Sequence, residues 1–297
     1  TLDKFWLDPI IFTYIILLPI SLKRLQGDDL LHKPQISWKK ALPILLALLI
    51  ICFLYFQPTQ YFIGGRDPGI YVSSAIYTSN TGKIQKYDPL LDEARLNYPM
   101  VFQDNNSKYP GYYVEEVEGQ IYMNPQFYPG YTLWLSAAHT LLGMDWFLYI
   151  TPLLGMLSLL MLYTAVKEMF GRRLALISTG LIAINIAQIY YARSPYTEIL
   201  AQLLLWFSIY ILFKAHKNED KLLALIGGFT IGASILVRLD SILMFIPLVI
   251  YFVAVYAKDN SSFKRWWGYY IPSLIIVAIV FLGYVFQYGK RYTRYQL

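Results

Sequence analysis

Charge is scarce in this chain, and cysteine and histidine are scarcer. Of 297 residues only 15% are Asp, Glu, Lys or Arg, one is cysteine and three are histidine. The single cysteine, Cys52, lies inside an apolar run, which excludes an internal disulfide framework and a cysteine-based metal centre. His32, His139 and His216 are far apart in sequence, which argues against a histidine-held metal. There is no internal repeat and no low-complexity tract. What the chain has in excess is apolar side chains, at 57%. Runs of about 20 apolar residues are long enough to cross a bilayer, and several occur here. A polytopic membrane protein with an all-α body follows, because helices satisfy their own backbone groups in lipid. The net charge of +6 is then read as Lys and Arg on the cytoplasmic side, and not as a nucleic-acid surface.

Candidate spans fall at 5–22, 41–57, 146–166, 174–191, 197–213, 222–237, 241–257 and 269–288. A ninth apolar stretch, "FYPGYTLWLSAAHTLLG" (127–143), opens with Pro129 and Gly130 and is short. Charge decides its status. The connection 23–40 and the connections "KEMFGRR", "KAHKNEDK" and "KDNSSFKRWWG" are rich in Lys and Arg, whereas "ARSPYTE" and "RLD" hold one each. If 127–143 does not cross, all four basic connections share the cytoplasmic side; if it crosses, three of them flip outward. The expectation is eight spans, with 127–143 lying at the outer interface and a large external loop over 58–145. The chain starts at Thr1 and stops soon after an apolar run, so it reads as part of a longer protein. The organisation is a first span with its basic connection (1–40), a membrane module (41–290) and the start of a further C-terminal region (291–297).

A loop of that length with its own sequence character is usually functional. It begins with an expected helix, 68–80, with Asp67 at the N-cap, Pro68 in the first turn and Gly82 just past the end. The turn at Gly64–Gly65 would bring Asp67 to the membrane surface. Further on, "YPGYYVEEVEGQIYM" suggests a small hairpin. Polar groups at the ends of spans point to function, and three clusters fall on the same expected face: Arg66–Asp67, Arg193 with Glu198, and Arg238 with Asp240. Guanidinium groups bind phosphate bidentately and stay charged, and a partly shielded carboxylate can take a proton from a hydroxyl. Blander roles exist for each. Asp67 can be only a cap, the arginines can snorkel, Asp240 can pair with Arg238, and the loop's tyrosines can form an aromatic belt. His139 reads as a satisfied polar residue on an interfacial helix.

"GGRDPGIYVSSAIYTSNTG", "DPLL", "FYPGYTLWLSAAHTLLG", "YARSPYTEILAQLLLW" and "ILVRLDSILMFIPL", in that order and spacing, resemble the membrane module of GT-C glycosyltransferases. These are polyprenyl-phosphate-sugar enzymes such as protein mannosyltransferases and lipid A aminoarabinose transferases, and the resemblance covers about 41–290. It implies that Asp67 is the catalytic acid of the first external loop and that Glu198 is a second functional acid. It implies an inverting transfer of a sugar from a polyprenyl-phosphate donor to an acceptor hydroxyl on the external face, with Asp67 as general base. Arg66, Arg193 and Arg238 would hold the phosphate, and Tyr71, Tyr128 and Tyr196 are candidate contacts to sugar or acceptor. Where relatives carry a Lys-Pro or Pro-Pro pair this chain has Tyr128–Pro129, so phosphate binding rests on arginine. A monophosphate leaving group needs no metal, and no cofactor is expected; the alternative is a divalent ion held by Asp67 and Glu198. Two other functions compete: a transporter or flippase of lipid-linked sugars, against which the lack of a repeat argues, and a non-catalytic membrane subunit. The discriminator is whether Asp67, Glu198 and the arginines meet.

Overall fold

The computed structural model describes residues 38–62, 66–102, 108–109, 111–258 and 260–296; the expected span at 5–22 and the Gly64–Gly65 turn lie outside them. Helix α1 (Trp38–Tyr55) leads into the loop, which carries α2 (Asp67–Thr81), α3 (Pro89–Asn97) and α4 (Pro129–Leu142). The membrane body follows as α5 (Ile150–Phe170), α6 (Arg172–Ala183), α7 (Ile186–Arg193), α8 (Thr197–Asn218), α9 (Lys221–Val237), α10 (Phe245–Lys258) and α11 (Asn260–Tyr284). A π-turn, Val285–Gly289, connects α11 to the short α12 (Lys290–Gln296). Among the described residues, four stretches, 147–170, 197–218, 239–258 and 266–289, are long and apolar enough to cross a membrane. At 22 residues, α8 is about 33 Å long, a full hydrocarbon thickness. The protein is an integral, multi-pass membrane protein.

The stretch expected as one span at 174–191 is instead two helices bent by 65° between Ala183 and Ile186. Asn185 explains the break: its side chain accepts from the backbone N–H groups of Ala187 and Gln188 and starts a new helix. The Tyr55 hydroxyl, fully buried on α1, donates to the carbonyl of Ala183 (3.1 Å) and so satisfies a group the break leaves open.

Helix α9 is the centre of the body, packed between α8 and α11. It is a stack of small residues, and a Cβ at Gly228 would lie 2.2 Å from both the Tyr270 carbonyl and the Ser273 hydroxyl. The two helix backbones therefore touch, the usual way membrane helices gain packing when lipid offers no hydrophobic contrast. We expect Gly228→Ala to force α9 and α11 apart and to cost about 1–3 kcal/mol, read as a lower thermal midpoint in detergent. An unchanged midpoint would show that this contact is not tight.

Ion pairs fix which helix ends share a face. Glu168 near the end of α5 meets Lys214 (3.2 Å) and Lys217 (3.0 Å) near the end of α8. Two of the basic connections thus lie together, as the charge distribution predicts. At the opposite end lies the loop. There α2 packs on α4, and a four-stranded antiparallel sheet in the order β1-β4-β3-β2 joins Lys86–Tyr87, Gln120–Pro125, Tyr112–Val117 and Lys108–Tyr109. The expected hairpin is β3–β4, closed by Glu118 and Gly119, both at positive φ (52° and 81°), the two-residue turn whose twist suits antiparallel strands. The all-α body thus carries a small sheet in its loop.

Candidate active site

Two anchors carry the start of α2 to the ends of the membrane helices. The segment after α1 is tied to the α7–α8 turn: the Thr59 N–H donates to the Arg193 carbonyl (2.8 Å) and its hydroxyl to Ser194 (3.0 Å). At the other side, Gly130 in the first turn of α4 sits against the end of α9, where a Cβ would come within 2.7 Å of the Leu236 carbonyl. The first turns of α2 and α8 and the end of α9 accordingly share one core cluster, through Ile70, Tyr71, Ile199, Leu200 and Val237.

Asp67 does not cap α2. The N-cap is Arg66, in extended conformation and without a side-chain cap bond, and Asp67 is the first helical residue. The reason is local. Pro68 offers no N–H, and the Ile70 N–H is used by the Arg66 carbonyl (3.2 Å). Gly82 ends the helix as expected, at φ 69°. The carboxylate of Asp67 is exposed and makes no hydrogen bond or ion pair with a described residue, and the same holds for the Arg66 guanidinium.

Tyr71 is one turn further along the same face. Its ring is buried between Phe127 (4.8 Å) and Tyr131 (5.5 Å, edge-on). Burial pushes its phenol well above the ordinary value; the nearby Tyr292 phenol and the Asp67 and Glu198 carboxylates add to this, and a hydrogen bond with Thr197 opposes it. Tyr71 therefore stays protonated and faces both acids. Tyr131 is held by Thr151 (2.6 Å).

The other acid is engaged. Arg238, where α9 ends in extended backbone, gives one guanidinium nitrogen to Glu198 (2.6 Å) and Thr197 (3.3 Å). Its remaining nitrogens go to both oxygens of Asp240 (2.9, 3.2 and 2.9 Å). The bonds to Asp240 are the largest cause of a raised guanidinium pKa, so Arg238 is permanently cationic. Arg193 bonds instead to the Gln57 side chain, and its Nε is buried without a partner. Tyr196 hydrogen-bonds weakly with Tyr190 (3.4 Å), and burial raises its phenol pKa, with Tyr190, Tyr61 and Asp67 contributing.

Of the residues singled out in the sequence, Glu198, Arg238 and Asp240 are joined directly, Tyr196 adjoins Thr197 at the start of α8, and Tyr71 packs in the same core cluster as Ile199 and Val237; Asp67 lies one turn before Tyr71, while Arg193 is tied back to α1's end. Tyr128 is buried under other rings at 2% exposure and bonded to Thr293 (3.0 Å). His139 is satisfied by Ser79 (2.7 Å). Sequence reasoning missed Thr197, whose hydroxyl accepts from Arg238 and donates to Glu198 (3.4 Å), and Tyr292 on α12. The Thr197–Glu198 pair at a helix start was a signal; for Tyr292 there was none. No group of three or more His, Cys, Asp or Glu that could hold a metal ion gathers among the described residues.

Residues 128–285, more than half of the chain, match the family model for dolichyl-phosphate-mannose-protein mannosyltransferases. That range includes Tyr128, Arg193, Glu198 and Arg238 and excludes Asp67. The fold is similar to the apo crystal structure of ArnT from Cupriavidus metallidurans, at a TM-score of 0.54 and 15% identity, covering 86% of this chain and 43% of that one. This chain therefore spans less than half of that structure's length. No curated protein matches it.

Proposed function

The chain belongs to the dolichyl-phosphate-mannose-protein mannosyltransferase family, and on that premise we propose that it forms the catalytic module of a membrane glycosyltransferase. The donor is a sugar linked to a polyprenyl phosphate, the acceptor a hydroxyl, and the reaction runs at the external face. The acceptor O–H gives its proton to Asp67 while its oxygen attacks the anomeric carbon. The bond from that carbon to the phosphate oxygen breaks, the polyprenyl phosphate leaves, and the anomeric configuration inverts. Arg66 and Arg238 are the cations closest to this chemistry, and Arg193 lies further back.

One observation carries the reading. Of the three acids at the site, Glu198 and Asp240 are committed to Arg238, whereas Asp67 is exposed and bonded to no described residue. A base must be free to receive a proton. The external location is supported by the basic connections at Glu168, Lys214 and Lys217, which lie at the far end of the body. Arginine can match the single phosphate, so the transfer runs without a metal.

The test is sugar transfer in proteoliposomes by the full-length protein, with labelled polyprenyl-phosphate sugars and a crude acceptor fraction, with and without EDTA. Transfer insensitive to EDTA is expected. Transfer abolished by EDTA and restored by a divalent ion would replace the arginine-only account with an ion at Asp67 and Glu198. No transfer across a broad donor panel, with donor movement between leaflets instead, would make the protein a carrier.

A further inference from the structure

Tyr292 lies outside every motif considered above, on α12 beyond the last membrane stretch. The π-helical segment Val285–Gly289 carries α11 on into α12 without a break. Thr293 hydrogen-bonds Tyr128, and the Tyr292 ring packs edge-on against Tyr128 (5.1 Å) and Phe127 (5.7 Å). Those two rings precede α4, and Phe127 is the ring stacked on Tyr71.

The phenol of Tyr292 is half-buried, and its hydroxyl has no hydrogen-bond partner among the described residues. Burial is the main cause of its pKa being pushed up to about 12, with further electrostatic contributions from Tyr128, Arg238, Asp67 and Tyr113. It is thus a neutral hydroxyl, able to donate and accept, on a ring packed against the core cluster that holds Tyr71 and Val237, the residue before Arg238. In an in-line displacement the sugar sits between the base that takes the acceptor proton and the cation that holds the leaving phosphate. A ring packed where the start of α2 meets the end of α9 borders the sugar. Unbonded hydroxyls on rigid rings suit that task, since a ring covers a sugar face and a hydroxyl reads one of its hydroxyls.

We propose that Tyr292 contacts the transferred sugar and helps set which sugar the enzyme accepts, so that residues 290–296 belong to the donor pocket. This rests on the glycosyltransferase reading and on Asp67 and Arg238 flanking the reacting carbon.

The experiment compares wild type with Tyr292→Ala, Tyr292→Phe and Thr293→Val, in full-length protein. Donors are polyprenyl-phosphate mannose and polyprenyl-phosphate glucose; bare polyprenyl phosphate is titrated separately by fluorescence. Thr293→Val breaks the bond to Tyr128 but keeps the Tyr292 ring, and so measures the purely structural part. Tyr292→Ala is expected to raise KM for the better donor about tenfold and to change the ratio of kcat/KM between the two donors, with bare polyprenyl phosphate bound as in wild type. Tyr292→Phe should change the ratio without the full rise in KM. An unchanged donor ratio, a loss equal to that of Thr293→Val, or weakened binding of bare polyprenyl phosphate would each overturn the assignment. If wild type transfers neither sugar, the glycosyltransferase reading fails on its own account. The difference in affinity between sugar-bearing and bare polyprenyl phosphate, in wild type and Tyr292→Ala, then still decides the role of Tyr292.

Discussion

Asp67→Asn is expected to lower sugar transfer by about 10²–10⁴-fold, the range for loss of a general base, while donor binding and the thermal midpoint stay near those of wild type. The argument starts from the helix end. Had Asp67 been a capping residue, its loss would cost about 1 kcal/mol of helix stability, and asparagine would have replaced it well. The structure removes that role. Arg66 holds the cap position, Pro68 supplies no N–H, and the Ile70 N–H is bonded to Arg66. Asparagine is nearly isosteric, so the change removes little besides the ability to take a proton. Glu198→Gln is the matched control, because it alters the other acid of the pair. Its carboxylate is bonded to Arg238, so the loss should appear in donor KM and not chiefly in kcat. Equal activity of Asp67→Asn and wild type would remove Asp67 from the chemistry. A larger kcat loss for Glu198→Gln than for Asp67→Asn would transfer the base role to Glu198.

Much of this architecture was legible because a bilayer is an unforgiving solvent. Apolar runs had to become helices, and those after the first fell on helices wherever the chain is described. The basic connections at Lys167 and Lys214 pointed to one side, and Glu168 joins them there. Illegible features were those set by a single side chain or by distant contacts. Asn185 splits a continuous apolar run by bonding two backbone N–H groups, and hydropathy does not register that. Strands β1 and β2 are two residues each, too short for any alternation to show. Asp67 was placed at the cap because its neighbours, a proline and a glycine, look like cap chemistry; the Arg66 carbonyl took the bond instead. Arg66–Asp67, Glu198 and Arg238 read as three motifs on one expected face, but the pairing of Arg238 with both Glu198 and Asp240 did not show in them. Arg193 and Arg238 read alike in sequence, and only the fold sends one to Gln57 and the other to Glu198.

Arg238→Gln is expected to be the second most damaging change, lowering transfer by about 10²-fold and stability by about 1–2 kcal/mol. Its three carboxylate-bonded nitrogens neutralise Glu198 and Asp240 together. Without the guanidinium, two anions face each other with only glutamine between them. A fully buried pair broken in this way costs about 3–5 kcal/mol, but the Arg238 and Glu198 side chains are about a third exposed (33% and 31%) and Asp240 is more open (56%). Water screens the repulsion, and the stability loss should be smaller and salt-sensitive. The activity loss should be larger than stability alone explains, because in the proposed reaction Arg238 is also a cation beside the leaving phosphate. A double-variant cycle separates the two. Glu198→Gln in the Arg238→Gln background removes one of the facing charges and should recover part of the lost thermal midpoint without recovering transfer. Recovery of both would mean that Arg238 only positions Glu198. With neither recovered, the damage would have to lie in the turn between α9 and α10, where Arg238 holds Asp240 two residues on.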